Sequence, residues 1–274
     1  MLPMQTKKNL RLNIRKYLLI SLGLIILLTG LVLVWRYHRQ NSNQLKNQAI
    51  VTITFDDGSK TIYDNAFPIF QQYHIPATFY LIAGSISEDG FVSWDNVQTL
   101  SQSGWEIASH TVTHPHLNLI KTKDQMIYEL DGAKTIFAQH GYKVTSFAAP
   151  YGQYNSNGLA WIEEFYQSNR KNNIRGNPGI NHLDKLNPYG LSSFEVGSST
   201  SISVVKDRID QAINQKGWLI IYMHTVDNSP SSRFEIQPKY LDQILAYISE
   251  KQKQGQIQVK TINQVVSMYP RSKN

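Results

Sequence analysis

The spacing of apolar positions divides the chain into three stretches. Leu18 to Trp35 (L-L-I-S-L-G-L-I-I-L-L-T-G-L-V-L-V-W) carries no charge. As a helix rising 1.5 Å per residue it spans about 27 Å, enough to cross a bilayer once. Arg39 to Gln48 (R-Q-N-S-N-Q-L-K-N-Q) has little to bury and reads as a tether. Beyond it, short apolar runs alternate with segments of helical period. Strands are predicted at Ile50 to Phe55, Ala77 to Ile82, Trp105 to Ser109, Thr145 to Ala149, Ser193 to Val196, Trp218 to Tyr222 and Ile257 to Lys260. Helices are predicted at Thr61 to Tyr73 with a kink at Pro68, and at Asp95 to Ser103, Thr122 to His140, Ser156 to Tyr166, Ser203 to Gln215, Pro238 to Gln254 and Ile262 to Met268, the last capped by Thr261. Gln167 to Tyr189 is rich in Asn, Gly and Pro and reads as mostly loop, with one short strand near Ile174.

Strand and helix alternating through seven units argue an α/β fold with a parallel sheet. Over about 225 residues this implies a distorted (β/α)7-type barrel, here preceded by one transmembrane helix. The expected plan is a basic cytoplasmic tail at 1–16, a signal anchor at 17–35, a linker at 36–48 and the barrel at 49–270. Five basic residues precede the span and only Arg36 and Arg39 closely follow it. That bias holds the N-terminus in the cytoplasm and puts the barrel outside the cell membrane. W-R-Y-H-R offers no small-residue cleavage site, so the span reads as an uncleaved anchor.

Composition narrows the chemistry. The chain has no cysteine, so a metal must rest on His, Asp or Glu. Net charge is +7, but eight of the 27 basic residues stand in the first 48 positions, where there is no acid. The body is thus close to neutral and gives no case for nucleic acid. A monomer is the default expectation.

Asp56, Asp57 and Gly58 end the first predicted strand, leaving two carboxylates at its C-terminal end. Alone, such a pair is either a solvated turn or a metal ligand with a base beside it. Ser109 to Leu117 reads S-H-T-V-T-H-P-H-L. If this stretch winds through one helical turn, His110 and His114 face the same way, at the spacing a divalent metal needs, and His116 points elsewhere. Asp57, His110 and His114 would leave coordination positions open for water and substrate, with Asp56 as a free carboxylate. His224 ends the apolar run W-L-I-I-Y-M-H, either as a satisfied core histidine or as a general acid at the barrel rim. His38, His74, His140 and His182 have no such context and read as surface residues. Tyr151, Tyr154 and Trp161 are candidates for lining a sugar groove.

Four segments together resemble the polysaccharide deacetylases of the NodB-homology type, carbohydrate esterase family four. They are T-F-D-D-G (Thr54 to Gly58), S-H-T-x-x-H-x-x-L (Ser109 to Leu117), A-A-P-Y-G (Ala148 to Gly152) and the strand ending in His224. The resemblance covers roughly Ala49 to Tyr269 and is nearest to the poly-N-acetylglucosamine deacetylase branch. It implies Asp56 as general base, Asp57, His110 and His114 as ligands of a divalent metal, most simply Zn2+ with Co2+ or Ni2+ as alternatives, His224 as general acid and the Tyr151 N–H as an oxyanion donor. Pro150, Tyr151 and Tyr222 are the implied substrate contacts. An N-acetylated polysaccharide such as poly-N-acetylglucosamine or peptidoglycan is the implied substrate. Alternatives are an O-acetyl esterase on a glycan such as xylan, or a weakly catalytic wall-binding module.

Three departures accompany the resemblance. The family's third motif usually opens with an Arg that holds the base, and Ala148 stands in that place. The Asp that orients the acid His has no clear counterpart among Asp184, Glu195 and Asp227. Tyr222 replaces the Leu usual two residues before the acid His.

Overall fold

The computed structural model describes residue 30 and residues 48–172 and 179–269. The expected anchor therefore falls outside the described residues apart from Gly30, as does Ile174. Among the described residues no helix is long and apolar enough to cross a membrane.

Five strands, β1 (Ala49–Phe55), β2 (Thr78–Leu81), β3 (Glu106–Ser109), β4 (Ser146–Ala148) and β5 (Ser168–Lys171), lie side by side and parallel in that order. Four more follow: β6 (Ile180–Asn181), β7 (Leu191–Ser192), β8 (Phe194–Glu195) and β9 (Trp218–Met223). β9 flanks β1 in parallel, and β6 adds to it antiparallel. Closure depends on one short segment. β7 pairs with β5, and after Ser193 β8 pairs with β9, so Leu191 to Glu195 bridges the two edges of the sheet. The result is an α/β fold with a nearly closed, barrel-like sheet. β10 (Thr225–Val226) and β11 (Glu235–Ile236) form a small separate pair, and β12 (Ile257–Val259) pairs with the first half of β1.

Every residue of β1 is buried because both faces of the sheet are covered, which is why the strand reads as a continuous run of apolar or β-branched residues. Its side chains alternate between two cores. Val51, Ile53 and Phe55 pack with Phe79, Leu81 and Leu219 in the larger cluster, beneath the helices. Ile50 joins Tyr80, Ala108, Ala148, Trp218 and Ile220 on the other face, where the Trp218 Nε1–H donates to Thr52 Oγ1.

Most predicted elements form within a residue or two of their expected ends, with three departures. The helix from Thr122 is two α segments, Lys123–Ile127 and Ala133–Gln139, joined by a π turn at Tyr128–Gly132. That turn carries Glu129, whose carboxylate accepts the N–H groups of Val112 and Thr113. The first helix likewise opens as a π turn (Ile62–Ala66) before Phe67–Tyr73, with Pro68 in its first positions, where no N–H is needed. Gln167 to Tyr189, expected as mostly loop, holds β5 and β6. The final helix, Ile262–Met268, starts as expected at Thr261, through a capping box with Gln264. Thr261→Ala is expected to lower unfolding stability by about 1 kcal/mol, read from the denaturant midpoint.

Candidate active site

β1 ends abruptly because Asp57 and Gly58 both have positive φ, 71° and 101°. Asp56 still continues the ladder, its N–H donating to Met223 O at 3.0 Å. The turn sends the Asp56 side chain into the interior, 3% exposed, while Asp57 faces the open end. Beyond β3 the chain does not wind into a helix. Thr111 and His114 take left-handed φ values of 70° and 60°, and the His114 N–H donates to Thr111 Oγ1 at 2.9 Å. The expected His pair does converge, but a loop pinned by Glu129 brings it together, not a helical turn.

His110 Nε2 and His114 Nε2 each lie 3.4 Å from Asp57 Oδ1. Ligands roughly 2.1 Å from a common ion and at a tetrahedral angle stand roughly 3.4 Å apart, so the three groups fit a divalent metal. Hydrogen bonds on the far side of each ring support the same reading. His110 Nδ1–H donates to Ala148 O at 2.7 Å, which leaves Nε2 with its lone pair. His114 Nδ1 meets the Tyr151 hydroxyl at 3.2 Å. Burial alone would raise the Asp57 pKa, but the hydrogen bond and charge of His110, with His224 and His114 behind them, hold it at about 2. Burial, then His110, lowers His114 to about 4 against the opposing pull of Asp57 and Asp56. At neutral pH the pair is therefore anionic Asp and neutral His, the forms that bind metal.

A cavity of about 410 Å³ opens over these groups. Asp56, Asp57, His110, His114, Tyr151, Tyr222 and His224 all line it, so the residues singled out in the sequence meet at one rim. Pro150 is the exception. It is buried, and it opens the turn in which Tyr151 takes a φ of 57°. Tyr154 and Trp161 also fail to reach the cavity; both pack against the large core. His224 faces the rings of Phe234 and Tyr222 at 5.0 and 5.7 Å, and its buried Nδ1 has no hydrogen-bond partner among the described residues. None of the three acids considered for it fills that place. Asp227 accepts the Ser229 N–H, Asp184 is exposed, and Glu195 bonds to Tyr222. Of the histidines expected at the surface, His74, His140 and His182 are exposed, and His140 stacks on Trp94 at 3.6 Å.

The sequence reading missed Arg170. Its side chain is wholly buried and ion-paired with Asp56 Oδ2. It sits in S-N-R-K, a strand with three buried polar residues and no apolar alternation. Asn172, Arg233 and Phe234, which also line the cavity, lie in loops and carried no pattern either.

Comparison with known proteins finds a matching family. Residues 43–165 match the family described as polysaccharide deacetylase. A poly-beta-1,6-N-acetyl-D-glucosamine N-deacetylase of Staphylococcus aureus is 32% identical over 130 residues, covering 42% of this chain and 44% of that protein. The matches span less than half the length of these curated relatives. Among solved structures, the Bc1960 peptidoglycan N-acetylglucosamine deacetylase aligns with a TM-score of 0.55 at 20% identity, over 84% of this chain and 92% of that one. The Xyl-CE4 domain of a xylanase from the hindgut metagenome of Trinervitermes trinervoides aligns at 0.54 and 18%, over 81% and 91%. At such identities these two similarities speak for the fold alone. With its motifs gathered at one rim of a barrel-like sheet, the chain carries in residues 43–165 a stretch that matches the polysaccharide deacetylase family.

Proposed function

We propose that this protein is a metal-dependent hydrolase that removes N-acetyl groups from an N-acetylglucosamine-containing polysaccharide outside the cell membrane. The observation that carries the reading is the placement of Asp56. One of its oxygens is tied to Arg170, and the other, Oδ1, is without a hydrogen-bond partner among the described residues, in the cavity that holds the Asp57, His110 and His114 donors. A divalent metal held by those three would polarise the acetyl carbonyl and acidify a water. Zinc suits this donor set, and cobalt or nickel would also serve.

The remaining chemistry falls to the chain's own groups. Asp56 Oδ1 takes the proton of the attacking water, and the Tyr151 N–H donates to the oxyanion that develops. His224 gives a proton to the departing nitrogen, without which amide cleavage stalls. Among the described residues Phe234 and Tyr222 hold that imidazole by contact, with no carboxylate bonded to its Nδ1.

A polymer is favoured over a single sugar by what borders the cavity. The Tyr151 ring stacks on His116 at 3.8 Å, and His116 also walls a groove of about 560 Å³ with Leu119, Ile120, Asp124, Gln125 and Tyr128. Tyr151, Leu119 and Tyr128 are among the few large apolar side chains exposed on the described surface. Apolar faces with a few polar groups suit the rings and hydroxyls of a glycan. Removing a ring from this groove should therefore weaken long substrates selectively. For Tyr128→Ala, kcat/KM on hexamers of N-acetylglucosamine is expected to fall about tenfold, with dimers nearly unaffected, in an acetate-release assay. Equal loss at both lengths would remove the groove from the substrate path.

A further inference from the structure

A general base must present one oxygen to its substrate and hold it there, and Asp56 must do so beside a second carboxylate, Asp57. One buried cation meets both needs. The Arg170 guanidinium lies between the rings of Tyr80 and Tyr222, 5.2 and 4.6 Å from their centroids. Its Nη2 donates to Asp56 Oδ2, and its Nη1 donates to Ser193 Oγ at 3.2 Å and Asn172 Oδ1 at 3.3 Å. Ser193 Oγ in turn donates to Lys171 O at 2.6 Å, so the segment that bridges the sheet also fixes the guanidinium. One oxygen of Asp56 is pinned, and Oδ1 is left at the cavity with no partner among the described residues.

Strand register explains why the cation comes from β5. Ala148 on β4 is directly paired with Arg170. Partners in parallel register share a face of the sheet, so a long side chain at 148 would compete for the space that Arg170 fills. Ala148 is fully buried and small, which leaves that space open.

We propose that Arg170 is the positioning residue of Asp56, so that the base is oriented from β5 and not from the Ala148 position on β4. The role rests on the deacetylase reading given above. It goes beyond that reading by naming a group that touches neither substrate nor metal. Arg170 also fixes the Tyr222 ring, two residues before His224, so the base and one wall of the cavity depend on the same guanidinium.

The test uses the full-length, metal-loaded enzyme and acetate release from N-acetylglucosamine oligomers. Arg170→Ala is expected to lower kcat about 100-fold, with KM changed less than about threefold and bound metal unchanged. Arg170→Lys keeps the charge without the fork and is expected to lose about tenfold in kcat. The swap Ala148→Arg/Arg170→Ala, which returns a guanidinium from the paired position, is expected to recover about tenfold over Arg170→Ala. An unchanged kcat in Arg170→Ala, a loss confined to KM, or a swap that folds and binds metal without recovery would each overturn the proposal. If melting curves show that neither of these variants folds, Arg170→Lys decides, and its retaining full kcat overturns the role. No acetate release by the unaltered enzyme from any glycan is a separate outcome, which removes the deacetylase reading and the Arg170 role with it.

Discussion

Asp56→Asn is expected to lower kcat by about a thousandfold while leaving metal content and KM nearly unchanged. The amide keeps the size of the side chain and its acceptor oxygen toward Arg170, but it cannot take a proton. General-base catalysis contributes roughly 100- to 10,000-fold, and among the described residues Asp56 is the one carboxylate at the cavity that is neither in the Asp-His-His cluster nor bonded to Tyr222. Folding should survive, because Asp56 already shares its buried position with a cation that has other acceptors in Ser193 and Asn172. A metal-loaded Asp56→Asn protein with full turnover would move the base elsewhere and leave the free Oδ1 without a role.

Loss of the metal should have an equal or larger effect. His114→Ala is the cleaner probe. Its side chain is partly exposed, whereas His110 is buried and bonded to Ala148 O. With one of three ligands gone, bound metal measured by elemental analysis should fall below stoichiometric, and turnover should fall by at least about a thousandfold. Chelation of the unaltered enzyme should give the same loss and be reversed by adding zinc.

The metal-free protein should also show the electrostatics of the site. His114 has its pKa lowered from 6.5 to about 4 on folding, so between those values the unfolded chain binds more protons than the folded one. Stability is therefore expected to decline as pH falls from about 6.5 toward 4. Asp57, lowered to about 2, adds a further loss below its unfolded value of 3.8. Bound metal should steepen the decline, since acid then also releases a stabilising ligand. Denaturant midpoints across this range, with and without metal, measure both effects.

The parts of the site legible in the sequence were those fixed by local order along a strand. Asp56 and Asp57 follow a continuous run of apolar or β-branched residues, and His224 ends an apolar run, so both could be placed at strand ends before any coordinates. The His pair was legible as chemistry but not as conformation. Its geometry depends on Glu129, over a dozen residues away, accepting the N–H groups of Val112 and Thr113. Arg170 was not legible at all. S-N-R-K has neither strand period nor apolar residues, and its burial follows from Asp56, Ser193 and two tyrosine rings that no local pattern announces. The vacant Arg place at Ala148 was the only sign that a cation had to arrive from somewhere else. The π turns were invisible for a similar reason, since a helix with one widened turn keeps nearly the apolar spacing of a regular one.

The measurement that tests the central claim most directly is acetate release by the full-length protein from poly-N-acetylglucosamine oligomers, peptidoglycan and acetylxylan, each with and without a chelator. The account predicts chelator-sensitive release from an N-acetylglucosamine polymer, restored by zinc and absent in Asp56→Asn. Release from acetylxylan alone would make the protein an O-acetyl esterase working with the same site. No release from any of the three, with metal bound and the fold intact, would contradict the account and leave a glycan-binding module on a deacetylase fold.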